Sequence, residues 1–291
     1  MGDQKGNPRR QVSKDLSQGR RLSSGIGALP QMRRVGPYDL GGLLMGNVNL
    51  MQYGLVAVVA FVAAMIGGVA GYGTGLLLPP ILMPLIGAEA IVPVMSVSGL
   101  MTNASRWMAF RHQFDRRRAI LIVVCAIPLC LLGAYGYTLL SGPGVSLLIG
   151  SVLVLVVPVR RILVRRLGHL STRGVGLSGA GYGLLVGGTS GTGAVLLSIL
   201  LAAGLSGRAV IATDAGISIV LGVLKAGVFQ AADLLPLSSW IMALLIGVAA
   251  TPGAFLAKRL TEGLSLRGHD RILDGVVVLG GVFLIAKGFA N

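Results

Sequence analysis

The sequence predicts an all-α fold, a polytopic transmembrane helical bundle built from two homologous, inverted repeats whose helices are broken at glycines. Three observations predict it. Hydrophobic residues make up 54% of the chain and charged residues 12%, about half the charge of an ordinary soluble domain, and mean hydropathy is +0.81. The apolar runs 51–69, 119–140 and 237–256 are each about 20 residues, enough to cross about 30 Å of hydrocarbon as helices, and no run alternates as barrel strands do. Finally, Gly71-Tyr72-Gly73-Thr74-Gly75 and Thr189-Ser190-Gly191-Thr192-Gly193 interrupt apolar runs at corresponding places in the two halves.

Residues 1–49 are basic, rich in Gly, Ser and Pro, and lack apolar periodicity, so they are expected to be a disordered tail. A misassigned start is the alternative, with Met45 or Met51 just ahead of the first apolar run. Repeat 1, residues 51–158, should hold helices near 51–70, 76–86, 90–105, 119–140 and 145–159. Arg106, Arg111, Arg116, Arg117 and Arg118 mark one joint, and Ser141-Gly142-Pro143-Gly144 reads as a tight turn. A basic linker, 159–173, carries Arg160, Arg161, Arg165, Arg166 and Arg173. Repeat 2, residues 174–291, should hold helices near 174–188, 194–203, 209–224, 237–257 and 272–289. Gly133-Ala134-Tyr135 is echoed by Gly253-Ala254-Phe255. The 45 glycines are roughly double ordinary usage, and small residues let membrane helices approach closely.

Net charge is +15, but the arginines lie between apolar runs, where the positive-inside rule places them, so the excess does not point to nucleic acid. Both central arginine-rich segments should face the cytoplasm. The loop 229–239 carries Asp233 without Lys or Arg and should be external. Lys258, Arg259, Arg267 and Arg271 should return the next loop inside, so the second half runs opposite to the first. This path puts the N-terminus outside unless the first broken pair makes only one net crossing, against the basic tail, and the middle loops take precedence. Cys125 and Cys130 are five apart in one run, on different helix faces, and suggest neither a disulfide nor a metal site.

Gly-Thr-Gly is a poor place for a helix to stay wound, and within a membrane an unwound backbone is tolerated only inside protein or along a polar cavity. Interrupted segments at matching positions point to a transporter's binding site. A helix restarting after such a break offers unpaired N–H groups and a partial positive charge to an anion. The candidate substrate-binding residues are Gly73, Thr74, Gly75, Ser190, Gly191, Thr192 and Gly193 at the breaks, with Ser96, Asn103, Arg106, Thr213 and Lys225 on the helices that follow them. The bland reading is that the glycines serve packing and the hydroxyls bond their own helix. On the later helices, Asp214, Ser218 and Lys225 fall on one face, as do Ser96, Asn103 and Arg106, and Thr213 lies beside them. Asp214 is a proton-coupling candidate, with helix capping as its alternative; Lys225 and Arg106 either reach the cavity or snorkel to headgroups.

These residues resemble the TauE/SafE sulfite exporter family, also called the 4-toluene sulfonate uptake permeases. The likeness rests on Gly71 to Gly75 followed by Pro79, Pro84, Gly87 and 92–96, and on Gly191-Thr192-Gly193 followed by Gly204, Ala209, Ala212 and Thr213. It covers about residues 51–291. Two positions depart from the family pattern: Pro93 replaces the usual Ala, and Asp214 stands where Ser is commoner. The resemblance implies a multi-pass permease of the cytoplasmic membrane that moves small anions, often sulfur-containing; the reading taken here is a secondary transporter of such anions or of small carboxylates, working by alternating access at the paired breaks. Expected partners are that anion and the lipid bilayer, with a homo-oligomer compatible with both; neither cofactor nor metal is expected.

A channel would use the same residues and is the alternative. Gly188-Thr189-Ser190-Gly191 matches a Gly-x-Ser-Gly of intramembrane serine proteases, but His112, His169 and His269 all lie in basic loops, leaving no general base in a span. No nucleotide-binding loop of the Walker A type occurs. Single cysteines placed near Arg116 and Arg165 in a cysteine-free background should resist an impermeant thiol reagent applied to intact cells. Labelling from outside would refute the orientation.

Overall fold

The computed structural model describes residues 50–68, 73–166, 170–260, 278–286 and 288–289, all within one packing unit. The tail expected over 1–49 and the loop holding Arg267 and Arg271 lie outside the described residues, as do Gly71 and Tyr72 of the first glycine stretch. The described elements are helical: α1 (Leu50–Gly68), α2 (Gly73–Ile86), α3 (Ala88–Phe110), a 3-10 turn (Arg111–Gln113), α4 (Arg116–Thr138), α5 (Gly142–Arg166), α6 (Thr172–Gly188), α7 (Gly193–Ala202), α8 (Arg208–Ala231) and α9 (Leu237–Leu260), with residues 278–286 helical near the C-terminus.

Three expectations are corrected. The chain turns at 139–141, and Gly142 already opens α5, because Pro143 has no N–H to lose in a first turn. The basic linker is shorter than 159–173, since α5 continues through Arg166. Gly73, Thr74 and Gly75 form the first turn of α2 and are wound.

Side-chain caps mark two of the starts. Asp115 accepts from the Arg118 N–H before α4, and Ser171 from the Gly174 N–H before α6. α7 stops in a Schellman arrangement, with the Leu205 N–H on the Leu200 carbonyl and the Gly204 N–H on that of Leu201, and Gly204 at φ 87 occupies the left-handed position.

Prolines inside helices leave carbonyls to be satisfied, because each removes the donor for residue i−4. Pro93 frees the Glu89 carbonyl of α3, and the Tyr137 hydroxyl of α4 donates to it at 3.1 Å. Ser96 donates to the Pro93 carbonyl at 2.6 Å. In α2, Pro79 likewise leaves the Gly75 carbonyl without an intrahelical donor.

The most extensive helix pair is α4 with α6. Gly176, Gly179, Gly183 and Gly187 share one face of α6, and a Cβ at Gly183 or Gly187 would overlap the Ala126 or Cys130 carbonyl of α4. From α4, a Cβ at Gly133 would come within 2.5 Å of the Leu184 carbonyl. The next pair is α9 with α1, where a Cβ at Gly253 would lie 2.5 Å from the Phe61 carbonyl. α3 and α8 pack together at the centre, α3 against α9 and α8 against α4.

The core is apolar but also encloses polar groups, and large apolar side chains cover the exterior. Ser96, Ser98, Thr189, Ser190, Thr192, Thr213, Asp214 and Lys225 are buried, whereas Leu55, Val58, Ile120, Val124, Leu132 and Val248 point outward. Among the described residues three helices, Arg116–Thr138, α5 over Gly142–Val159 and Arg208–Ala231, are long and apolar enough to cross a membrane. Gly187→Val should force α4 and α6 apart and lower stability by about 1–3 kcal/mol or more. Gly181→Ala, with nothing within 4 Å of the new Cβ, should be neutral or stabilising by about 0.4–1 kcal/mol. Thermal unfolding of the purified variants in detergent would check both.

Candidate functional site

α6 stops at Gly188 and α7 starts at Gly193, with four non-helical residues between them. Thr189 is extended, and Gly191 sits at φ 82, where a side chain would be strained. The first glycine stretch meets the second here: a Cβ on Gly75 would lie 3.1 Å from the Gly191 Cα, and one on Gly191 would lie 2.8 Å from the Gly75 carbonyl oxygen. Position 191 needs glycine for this approach, while a Cβ on Gly75 would require the facing backbone to give by a few tenths of an ångström.

The N-terminus of α7 is open. Val195 and Leu196 donate to the Thr192 carbonyl at 2.9 and 3.4 Å, but among the described residues no backbone acceptor takes the N–H of Thr192, Gly193 or Ala194. Thr192 makes no side-chain cap. The Ser190 hydroxyl is buried without a hydrogen-bond partner. A buried polar group left alone costs about 1–3 kcal/mol, so the junction holds donor capacity that the described protein leaves unused.

Lys225 of α8 is 5% exposed and reaches this junction. Its Nζ donates to the carbonyls of Val186 and Thr189, both at 3.0 Å. These belong to the end of α6, where carbonyls have lost their intrahelical donors; Thr189 Oγ1 covers another, that of Leu185, at 2.6 Å. The snorkelling alternative for Lys225 is therefore corrected: the ammonium is held inside by helix-end carbonyls. Two bonds use two of its three protons. Among the described residues the ion pairs are Arg106 with Asp214 and Arg118 with Asp115, so Lys225 has no carboxylate to neutralise it.

A second polar cluster joins α3 to α8. Arg106 donates from Nη2 to Asp214 Oδ2 at 2.9 Å and from Nη1 to Asn103 Oδ1 at 3.0 Å. Arg106 thus turns inward and does not snorkel. Asp214 does not cap α8, because the helix starts six residues earlier at Arg208. The Thr213 hydroxyl is already used, accepting from the Asp115 N–H at 3.1 Å. Ser96 is likewise occupied by its own helix.

Tyr182 of α6, which periodicity did not single out, sits between the clusters. Its hydroxyl interacts with the side chains of Thr192 and Ser218, within electrostatic reach of Asp214 and Cys130. The available signal was a tyrosine within a glycine-rich span, since a buried phenol requires a polar partner. The structure thus brings together Gly75, Ser190, Gly191, Thr192, Gly193 and Lys225 at one junction, and Asn103, Arg106, Thr213 and Asp214 at another. Gly73 and Thr74 lie in the first turn of α2 beside Gly75.

The Leu170 N–H, ahead of α6, donates to the Ala202 carbonyl at 2.9 Å, and Arg118 comes 3.6 Å from a Cβ placed on Gly204. Both arginine-rich segments therefore meet the C-terminal end of α7, whose N-terminus points away from them. At this end, partial burial works against ionisation of Asp115, but the Arg118 N–H and guanidinium outweigh it and hold the carboxyl below its usual value. With the folded pKa depressed, the contribution is present at neutral pH and is lost as pH falls through that lowered value. Asp115→Ala should cost about 0.5–2 kcal/mol at neutral pH. The gap between the two unfolding midpoints should close below about pH 4.

A profile of the family described as Sulfite exporter TauE/SafE matches residues 56–284, most of the chain. No curated protein and no solved structure matches it.

Proposed function

We propose, starting from the fact that the chain belongs to the TauE/SafE sulfite exporter family, that it is a secondary transporter carrying small anions across the cytoplasmic membrane. The family is one of membrane transporters, and the apolar exterior and spanning-length helices fit it. The observation that carries the anion reading is the Lys225 ammonium, buried with no carboxylate among the described residues to pair it and fixed by Thr189 next to the N–H groups of α7 and the Ser190 hydroxyl, which those residues leave unused. An isolated buried charge is costly unless paired. A bound anion would supply the missing charge and accept from the donors.

The two-repeat reading draws support from the packing. Exchanging α1 with α6, α2 with α7, α3 with α8 and α4 with α9 turns the α4–α6 pair into α9–α1 and the α3–α9 pair into α8–α4, and all four are among the closest contacts. Gly133 and Gly253 play matching parts in two of them. α7, with 10 residues, covers about 15 Å at 1.5 Å per residue, roughly half the hydrocarbon depth. Its N-terminus therefore lies near mid-membrane, where alternating access would open it to one side and then the other.

The test is counterflow in liposomes, screening sulfite, sulfonates, thiosulfate and small carboxylates. Trans-stimulated exchange is expected of a carrier and would be absent from a channel. For the anion exchanged best, Thr192→Val should weaken binding about five- to thirtyfold, corresponding to one lost hydrogen bond of about 1–2 kcal/mol, and Lys225→Gln should weaken it more. Gly193→Leu should block the approach to the backbone. Unchanged affinity in all three correctly folded variants would mean that the junction serves packing alone.

A further inference from the structure

The Arg106–Asp214 pair is poorly built for stability. Ion pairs taken out of water repay their desolvation only when the remaining lone pairs are also bonded. Asp214 is 1% exposed, one oxygen accepts from Arg106, and the other, Oδ1, is buried with no partner. Replacing such a pair with apolar side chains is often neutral or stabilising, so a purely structural tie between α3 and α8 does not account for it.

The groups around Asp214 come from every neighbouring element. α3 contributes Arg106, and α6 contributes the Tyr182 hydroxyl. The α4 start contributes Asp115 with its partner Arg118, linked through Thr213, while the 3-10 turn carries Arg111 and His112, both exposed. α7 brings no ionisable side chain. On α8 itself, Ser218 follows one turn later and contacts Tyr182, which also contacts Thr192 at the α6–α7 junction; Lys225 lies two turns beyond. Tyr182 thus joins Ser218, one turn from Asp214, to Thr192 at the α6–α7 junction, with Asp214 in electrostatic reach.

We propose that Asp214 is a proton-binding site whose occupancy sets the charge of the cavity, so that a divalent anion is carried together with one proton. The proposal rests on the permease reading and goes beyond it by naming the coupled ion and the substrate valence. With the carboxylate ionised, Arg106, Lys225 and Asp214 sum to one positive charge, which a monovalent anion balances. A proton from solution added at Oδ1 leaves the carboxyl neutral and the sum at two positive charges, which a divalent anion balances. Arg106, whose side chain is 17% exposed against 2% for that of Asp214, then loses its counter-ion and turns its field to the substrate. No covalent step is involved: one proton binds with each divalent anion and leaves with it.

The test measures proton uptake by the purified full chain in weakly buffered detergent, reported by a pH dye. Sodium thiosulfate is the divalent probe and sodium methanesulfonate the monovalent one. The expected result is close to one proton taken up per thiosulfate bound, little with methanesulfonate, and none with either anion in Asp214→Asn. Thiosulfate binding without proton uptake, or equal uptake in Asp214→Asn, overturns the inference and leaves the permease reading standing. Absence of exchange for every anion screened overturns the permease reading instead. Infrared difference spectra of the anion-free protein then decide Asp214 separately. A protonated-carboxyl band that grows as the pH is lowered and is missing from Asp214→Asn supports the site; identical spectra overturn it. If Asp214→Asn folds poorly, Arg106→Gln with Asp214→Asn removes both charges together and should abolish the same band and the same proton uptake.

Discussion

The two hydrogen bonds from Lys225 to the end of α6 are the contact on which the rest of the site depends. Where α6 stops, its last carbonyls lose their helical donors, and within hydrocarbon no water replaces them. The ammonium from α8 fills that place, with both bonds at 3.0 Å. The same contact fixes a positive charge beside the N-terminus of α7, where N–H groups and the Ser190 hydroxyl stand unused. One interaction therefore both satisfies a helix end and sets an ammonium beside the start of α7.

Everything nearby serves to bring backbones close. The glycine face of α6 lets it lie against α4 at carbonyl distance, which sets where the end of α6 falls. Gly75 and Gly191 touch without side chains, and Pro79 leaves the Gly75 carbonyl unbonded within α2 at that contact. Gly204 stops α7 after 10 residues, so its positive end faces the interior and its negative end meets the arginine-rich segments. Tyr182 of α6 then contacts both Thr192 at this junction and Ser218 of α8, the helix that carries Asp214.

Much of the bundle was legible in the sequence because long apolar runs leave little choice of structure, and the starts of α6 through α9 fall within two residues of expectation. Boundaries failed where local chemistry was ambiguous: Ser-Gly-Pro-Gly suits a turn and equally a helix start, and arginines mark loops while also favouring helix ends. Gly73 to Gly75 wind because the apolar stretch after them carries the helix back through them. The candidate site was visible as glycines and hydroxyls at matching positions. Its wiring was not, because Lys225 finds its acceptors 39 and 36 residues away and the partner of Arg106 lies 108 residues away. Such contacts follow from helix packing, which one sequence does not encode locally. Tyr182 was passed over for the same reason, since its partners sit on the α6–α7 junction and α8.

The central claim places a small anion against the N-terminus of α7 beside Lys225. Its most direct test is an anomalous difference map from crystals of the protein soaked in selenite, a selenium-bearing oxyanion. The account predicts a selenium peak with oxygens in hydrogen-bonding reach of Ser190 Oγ, the Gly193 N–H and Lys225 Nζ. A peak elsewhere in the bundle, with this junction closed and Lys225 still on the α6 carbonyls, would contradict it.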